Sequence, residues 1–284
     1  MIPPDFTFET SHDRERRSLL LTPQQLKHYE TFGFVILRNW LTSEEMATLS
    51  EEFERGLDAA YSHEVFDGTQ RQWTPLMGPE TPFYAHLPEE ARFCEVAEQL
   101  CGEDCFLVVC DGNRYVGDSG WHPDHDVDPT KDCWGVKFAF YLEPVGAETG
   151  ALRVIPGSHR IPYHNEVKAT LAETKPSISE VPSYVCESEP GDVVAFDMRC
   201  WHASCGGSDG RRMSTAVFYH HPQTPVELEA TRKRGQSNAN ATTTYRRPND
   251  PKFDPHWLKN PHGSEKRANW INRLREFGFV DSCE

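Results

Sequence analysis

Residues 135–142 have the sequence GVKFAFYL, an alternating run of apolar and other side chains between turn residues. A run of this kind predicts a β-strand that presents different residues to its two faces. Five further short apolar or alternating runs are separated by Gly, Pro, Asp and Ser: residues 105–110, 151–155, 184–187, 192–196 and 215–219. Many short strands joined by turns predict a mainly β protein of the sandwich or barrel type.

Helices are predicted on both sides of these strands. Thr22 and Pro23 begin an amphipathic helix that ends at Gly33, and residues 42–45, TSEE, begin a second one. Between them, residues 34–37, FVIL, are predicted as a short apolar strand. A third helix is predicted over residues 88–100 and a last one near residues 264–277. The rest of residues 222–284 is predicted as loop, with its most mobile part at residues 235–244, GQSNANATTT.

The predicted organisation is one domain at residues 21–284 after a flexible N-terminus at residues 1–20. Within this domain we expect helical support over residues 21–104, a β core over residues 105–222 and a C-terminal cover over residues 223–284. The cover and the insert at residues 61–84 are expected to close the substrate pocket, because loops around such cores commonly determine specificity. Deleting residues 232–246 is then expected to alter substrate affinity without removing a metal.

Composition excludes several classes of function. The 284 residues include 29 Lys and Arg against 44 Asp and Glu, a net charge of −15. This balance argues against a nucleic-acid-binding protein, which needs clustered basic side chains. No apolar run is long enough to span a membrane, and the polar beginning does not resemble a signal peptide. The nine Cys contain no CxxC pair, which favours reduced thiols and a cytoplasmic location.

The densest group of potential metal ligands is WHPDHDVD at residues 121–128. On a strand, His122 and Asp124 would point to the same face. His202, in CWHAS at residues 200–204, offers a second imidazole. Two His and one carboxylate on one face of an octahedron are typical of non-haem Fe(II) oxygenases. A single HxD pattern among 13 His is weak evidence for a metal site, and further motifs are needed to identify one.

A basic motif, RRMS at residues 211–214, follows His202 at the start of a predicted strand. Arg212 and Ser214 share one strand face and would offer a guanidinium fork and a hydroxyl to a carboxylate. Arg211 remains a rival for this role. We prefer Arg212 because it is in phase with Ser214.

Taken together, the motifs resemble the phytanoyl-CoA dioxygenase family of Fe(II)- and 2-oxoglutarate-dependent oxygenases, which includes the ectoine hydroxylases. The resemblance extends from about Leu21 to Pro222. It rests on the order of LTPQQLKHYETFGFVILRNWLTSEEM (21–46), WHPDH (121–125), TGALRVIPGSH (149–159), PGDVVAFD (190–197) and HAS with RRMS (202–204 and 211–214).

This resemblance implies a double-stranded β-helix core, also called jelly-roll or cupin-like, with flanking helices. It implies that His122, Asp124 and His202 hold iron and that Arg212 binds the distal carboxylate of 2-oxoglutarate. It also implies the reaction: O2 and 2-oxoglutarate are consumed, succinate and CO2 are released, and an unactivated C–H bond of a small-molecule substrate is hydroxylated. In this sequence the loop after the distal His is one residue short, which keeps Arg211 open as the cosubstrate ligand.

Further residues are expected around this centre. Comparison with the family favours Lys137, Ala139 and Tyr141 as the inward set of the strand at residues 135–142. Lys137 is expected to bind a carboxylate of the substrate or cosubstrate, since an ammonium in a dry site needs a partner. The alternative is that Lys137 lies on the outer, solvated face of the strand. Asn113 is a second candidate for 2-oxoglutarate. The substrate pocket is expected to include the following residues: His125, Asp126, Tyr141 and Trp201.

Two other functions are compatible with the same three ligands. A zinc-dependent hydrolase would use them with a water molecule, but it would not need the Arg–Ser pair. A cupin-like sensor would bind the metal or a small molecule without catalysis. For an oxygenase, the acidic composition disfavours an acyl-CoA substrate and favours a small amino-acid-like, amine-bearing or natural-product substrate. No feature of the sequence predicts an oligomeric state.

Overall fold

The computed structural model describes residues 20–62, 64–240 and 253–280, without the side chains of residues 238–240. Its strands are β1 Phe34–Leu37, β2 Gln72–Pro75, β3 Phe106–Tyr115, β4 Ser119–His122, β5 Gly135–Tyr141, β6 Leu152–Val154, β7 Tyr184–Cys186, β8 Val193–Asp197, β9 His202–Ser204 and β10 Arg211–Tyr219. Its α-helices are α1 Pro23–Phe32, α2 Ser43–Ala60, α3 Pro82–His86, α4 Ala91–Cys101, α5 Tyr163–Thr174, α6 Pro225–Asn240, α7 Pro255–Lys259 and α8 Glu265–Glu276.

The strands form two antiparallel sheets. The larger sheet has the order β1-β8-β5-β10-β3-β2, and the smaller one has the order β4-β9-β6-β7. Side chains from both sheets, such as Tyr141 and Phe196 from the larger and Val154 and Cys186 from the smaller, form one buried cluster. The two sheets therefore face each other, and the candidate ligands lie between them.

Local sequence explains where the first helices begin. Thr22 and Gln25 form a reciprocal capping box at the start of α1, with Pro23 in the first turn. Thr42 and Glu45 form a second capping box at the start of α2. Each box satisfies backbone N–H groups that have no partner inside the helix. Gly33 ends α1 with φ of +83°, where a Cβ would lie 2.3 Å from Cys200 Sγ, so a side chain at this position would clash as well as strain the backbone.

The two faces of β5 explain how helices and cavity are divided. Phe138 packs against Phe93 of α4 and Phe218 of β10, with ring centroids 5.5 and 5.8 Å apart. Trp270 of α8 continues this layer at 5.6 Å from Phe218. The alternate residues of β5 face the smaller sheet. One face of the larger sheet thus carries the helices, and the other forms the wall of a cavity.

Several sequence expectations differ from the structure. Residues 225–240 form α6 rather than a loop, including residues 235–240 of the stretch expected to be mobile; residues 241–244 lie outside the described residues. The strand expected at residues 34–37 is β1, but the region expected to give helical support also supplies the unpredicted strand β2 to the larger sheet. The third helix begins at Ala91, after a 3-10 turn at Leu87–Glu89, because Pro88 occupies that turn.

The eight cysteines among the described residues form no disulfide bonds, and seven of them are buried. No helix there is long and apolar enough to cross a membrane.

Candidate metal centre

His122, Asp124 and His202 come together between the two sheets. His122 ends β4 and lies directly opposite His202 in the antiparallel pairing with β9. Their rings are 4.4 Å apart, and Asp124 lies two residues beyond the end of β4. One donor atom from each residue lies within 4.8 Å of the other two. The three predicted ligands are therefore brought together, although Asp124 lies in a bend and not on a strand.

Both imidazoles are oriented by backbone carbonyls. His122 Nδ1 lies 2.7 Å from the Gly120 oxygen, and His202 Nδ1 lies 3.0 Å from the Cys200 oxygen. A carbonyl can only accept, so each Nδ1 carries the proton and each Nε2 keeps a lone pair. The Nε2 atoms of His122 and His202 lie 3.9 and 3.7 Å from the Asp124 carboxylate oxygens. This donor set, with its tautomers fixed, fits a divalent transition metal.

Electrostatics keep the donors in the protonation states that a metal needs. Burial lowers the pKa of His202 to about 4, so its ring is neutral at neutral pH. Burial acts to raise the pKa of Asp124, but the Lys137 ammonium outweighs it and holds that pKa far below its usual value. Asp124 is therefore a carboxylate under all ordinary conditions.

The loop that carries Asp124 is held by backbone hydrogen bonds. The N–H groups of Asp124 and His125 both donate to the Met198 carbonyl, at 2.9 and 3.1 Å. Arg234 of α6 donates to the Asp124 carbonyl at 2.6 Å. The position of this carboxylate is therefore set by the chain on both sides of it.

A cavity of about 200 Å³ opens beside the three ligands. Its polar wall includes Arg71, Asp111, Asn113 and Lys137, and its aromatic wall includes the following residues: Trp73, Tyr115, Tyr141 and Phe196. Lys137, Ala139 and Tyr141 all line it, so the inward set predicted for β5 is the one observed. Asn113 also lines it, with its amide between the Asp111 carboxylate and the Arg71 guanidinium.

Arg211 lies next to this cavity, buried against two residues that line it. Its Nη2 donates to Ser204 Oγ at 3.2 Å, and its guanidinium lies 4.9 Å from the Tyr115 ring centroid. Its Nε and Nη1 atoms are buried and have no hydrogen-bond partner among the described residues. Two glycines make room for it, since a Cβ on Gly150 or Gly207 would lie 2.0 or 1.4 Å from Nη1. A buried guanidinium with two unpaired N–H groups fits a carboxylate ligand.

Arg212 and Ser214, predicted to bind 2-oxoglutarate, face the opposite side of β10. Arg212 pairs with Glu54 and Glu143 at 3.0 Å each, and Ser214 Oγ lies 2.7 Å from the Tyr84 hydroxyl. Successive strand residues point to opposite faces, and the cavity face of β10 carries Arg211, Met213 and Thr215. The two predicted residues were assigned to the wrong face.

Of the four residues expected in the substrate pocket, one lines the cavity and three do not. Tyr141 lines the cavity, whereas His125, Asp126 and Trp201 do not. His125 is buried behind the loop that carries Asp124, where its Nδ1 lies 2.5 Å from the Cys133 oxygen. Asp126 accepts from the Asp128 N–H at 2.9 Å in the same loop. Trp201 packs with Ile155 and Val167 in a separate small cluster, because neighbours of an inward strand residue point outward.

A second group of potential ligands consists of His125, Asp132 and Cys133. Arg234 lies in this group with its Nε 3.3 Å from Asp132 Oδ1. Burial raises the pKa of the Cys133 thiol well above its usual value. A guanidinium and a neutral thiol do not favour a cation, so we assign the group to the support of the loop.

Sequence reasoning missed several cavity residues, among them Arg71, Trp73, Asp111 and Tyr115. Arg71 and Trp73 reach the cavity because β2 pairs with β3, with Trp73 opposite Asn113. Trp73 Nε1 and Thr215 Oγ1 both donate to the buried Asp111 carboxylate at 2.8 Å. The available signal was the alternation of Asp111, Asn113 and Tyr115 along β3, which places all three on one face.

The family described as phytanoyl-CoA dioxygenase matches residues 29–214. The ectoine dioxygenase of Bordetella bronchiseptica is 24% identical over 156 residues, covering 49% of this chain and 50% of the relative. The ectoine dioxygenase of Sphingopyxis alaskensis is 25% identical over 218 residues, covering 66% and 71%. The chain thus spans about half the length of the Bordetella relative.

Solved structures show the same fold at low sequence identity. EctD from S. alaskensis, solved with 2-oxoglutarate and 5-hydroxyectoine, has a TM-score of 0.55 and 19% identity, covering 70% of this chain and 76% of that one. The α-ketoglutarate-dependent carbocyclase SnoK has a TM-score of 0.57 and 18% identity, covering 70% and 84%. The predicted mainly β jelly-roll core with flanking helices is confirmed.

Proposed function

Because this chain belongs to the phytanoyl-CoA dioxygenase family, we propose that it is an iron(II)- and 2-oxoglutarate-dependent dioxygenase. It hydroxylates an unactivated C–H bond of a small molecule and releases succinate and CO2. One observation carries the proposal: three metal donors with fixed tautomers lie in a cavity beside a buried arginine whose N–H groups lack partners. The donors suit iron, and the arginine suits a dicarboxylate cosubstrate.

His122, Asp124 and His202 would hold the iron. When bound, iron(II) with 2-oxoglutarate and O2 supplies the oxidant that an unactivated C–H bond requires. The protein orients the ligands through the Gly120 and Cys200 carbonyls. It also keeps His202 neutral by burial, so that protons do not compete with the metal at neutral pH.

Arg211 takes the role first assigned to Arg212. It offers Nε and Nη1 to the distal carboxylate of 2-oxoglutarate, and the Ser204 hydroxyl adjoins the same site. Arg212 is occupied by Glu54 and Glu143 on the helix-facing side of β10. Asn113 is held by Arg71 and Asp111, so it supports the wall of the cavity in a fixed orientation.

The substrate is a small molecule of the amino-acid-like, amine-bearing or natural-product kind. A cavity of about 200 Å³ lined largely by polar and charged groups supports this preference over a long acyl chain. Trp73 and Arg71, on the insert after α2, form part of its wall. This supports the expectation that the insert shapes the substrate pocket.

The zinc-hydrolase alternative gives Arg211 no task. A hydrolase needs only three ligands and one water molecule. Burial of the Arg211 Nε and Nη1 donors without hydrogen-bond partners would then destabilise the protein and serve no role in the reaction. A non-catalytic sensor would use the arginine but would not consume its ligand. Turnover of 2-oxoglutarate separates the sensor from the enzyme.

The test combines spectroscopy with product analysis. Under anaerobic conditions, Fe(II) plus 2-oxoglutarate is expected to give a weak visible charge-transfer band that Zn(II) does not give. Admission of O2 with a panel of candidate metabolites is then expected to yield succinate, and a product that gains one oxygen atom indicates hydroxylation. A product that loses two hydrogens would instead indicate desaturation or ring formation. Absence of 2-oxoglutarate turnover with every compound would refute the enzyme.

A further inference from the structure

Lys137 places a positive charge against the carboxylate of the candidate metal centre. Its Nζ donates to Asp124 Oδ2 at 2.7 Å, and both side chains are about one-fifth exposed. The ammonium lies 5.8 Å from the centroid of the Phe196 ring. Lys137 is therefore held at the centre itself and not at the mouth of the cavity.

The other carboxylate on this wall does not compete for Lys137. Asp111 accepts hydrogen bonds from Trp73 Nε1 and Thr215 Oγ1, and Asn113 Nδ2 donates to it at 3.0 Å. Asp124 is the group to which Lys137 donates directly. The positive charge of Lys137 is thus in direct contact with the candidate metal ligand Asp124.

This pairing changes the charge of the centre. Two neutral imidazoles and one carboxylate carry a single negative charge, and Lys137 cancels it. A divalent metal then leaves two positive charges on this group of residues, which attract the dianion 2-oxoglutarate. Without the lysine, the three ligands would keep their negative charge, would attract the metal more strongly and, with the metal bound, would attract the dianion less strongly. Charges in a partly buried site interact strongly enough for this difference to matter.

We propose that Lys137 sets the affinities for the metal and for 2-oxoglutarate in opposite directions. It weakens the affinity for the metal alone and strengthens the affinity for 2-oxoglutarate once the metal is bound. The inference rests on the proposed function, because it requires both ligands to occupy this site.

The experiment measures the two binding equilibria, separately and together, without turnover. Co(II) is titrated into metal-free protein by calorimetry, with and without saturating 2-oxoglutarate, and 2-oxoglutarate is titrated into the Co(II)-loaded protein. Lys137→Met removes the charge at similar length, and Lys137→Arg keeps it. Lys27→Met is the matched control, since it removes one positive charge from an exposed pair with Glu30 on α1.

Lys137→Met is expected to bind Co(II) alone about tenfold more tightly and 2-oxoglutarate about tenfold more weakly. Lys137→Gln, which removes the charge but keeps a hydrogen-bond donor near Asp124, should show the same two changes. Lys137→Arg and Lys27→Met should keep both wild-type affinities. Thermal unfolding confirms that each variant is folded.

Weaker Co(II) binding by both Lys137→Met and Lys137→Gln, or unchanged 2-oxoglutarate binding by both, would overturn the inference and reduce Lys137 to a support for Asp124. A wild-type protein that binds Co(II) but no 2-oxoglutarate would refute the proposed function instead. These two failures are distinguishable, because the first appears in the variant and the second in the parent protein.

Discussion

The guanidinium of Arg234 donates a hydrogen bond of 2.6 Å to the main-chain carbonyl of Asp124. Arg234 belongs to α6, a helix 110 positions further along the chain, and its Nε also lies 3.3 Å from Asp132 Oδ1. The C-terminal region is thereby joined to the loop that supplies the carboxylate ligand. This relationship changes the expectation for deletion of residues 232–246, which should now loosen the metal and not only the substrate.

Arg234→Ala is expected to weaken metal binding by about 10- to 100-fold, the range for residues that orient ligands from behind. The reason is that the Asp124 loop loses its contact with α6. Co(II) titration of the metal-free protein measures the effect. Arg232→Ala, on the exposed face of the same helix, is the control and should match the wild type. Equal affinities in all three proteins would refute a role for Arg234 at the centre.

Arg211→Ala is expected to weaken 2-oxoglutarate binding by about 10- to 100-fold, since a buried carboxylate loses charge-assisted hydrogen bonds. Arg212→Ala, which lacks contact with the cavity, should change this affinity little. Calorimetry of the Co(II)-loaded variants provides the comparison. A larger loss in Arg212→Ala would restore the assignment first made from the sequence.

Gly207→Ala should also weaken 2-oxoglutarate binding, because the new methyl group would lie 1.4 Å from the present position of Arg211 Nη1 and would displace the guanidinium. Gly146→Ala is the matched control in the same region, where an added Cβ meets its nearest atom at an ordinary 3.5 Å. The dissociation constant for 2-oxoglutarate is again the measurement. If both variants bind it equally well, Arg211 does not need the space that Gly207 leaves.

The stability of the protein should fall on mild acidification through His159. Burial lowers the pKa of this imidazole, which lies near the Glu30 carbonyl, below its usual value. The unfolded chain therefore takes up a proton first as the pH falls below about 6.5, and stability decreases from there towards the folded pKa. Urea unfolding of metal-free protein at pH 7 and pH 5 measures this loss.

The loss on acidification should be smaller in His159→Gln, which removes the titrating ring. His28→Gln, at an exposed position of α1, is the control and should keep the wild-type difference between the two pH values. An unchanged difference in His159→Gln would show that other groups cause the acid sensitivity.

The local motifs predicted the ligand triad because each part of it is short. His122 and Asp124 are two residues apart, and the PGD turn before β8 sets the approach to His202. The same reasoning failed for Arg211, since the face of a strand depends on the register after the turn at residues 205–210. In the structure that register places Arg211 opposite Tyr115. A shift of one residue exchanges the two faces of a strand, and no local pattern reports it.

Long-range contacts explain the other differences. Arg71 and Trp73 reach the cavity only because β2 pairs with β3, about forty residues away. Residues 225–240 lie in a proline-containing region and include part of the stretch GQSNANATTT, which predicted a loop. The contact of Arg234 with the Asp124 loop is a tertiary interaction, which can hold a helix that its own sequence specifies weakly.

The pairing of β4 with β9 has a consequence for the folding of the small sheet. β4 is an edge strand of four residues, joined to β9 through only two registered pairs, Ser119 with Ser204 and His122 with His202. A short edge of this kind can slip or detach at little cost. A metal ion bound by both imidazoles would hold β4 in one register against β9. The metal would then also stabilise the edge strand of the smaller sheet.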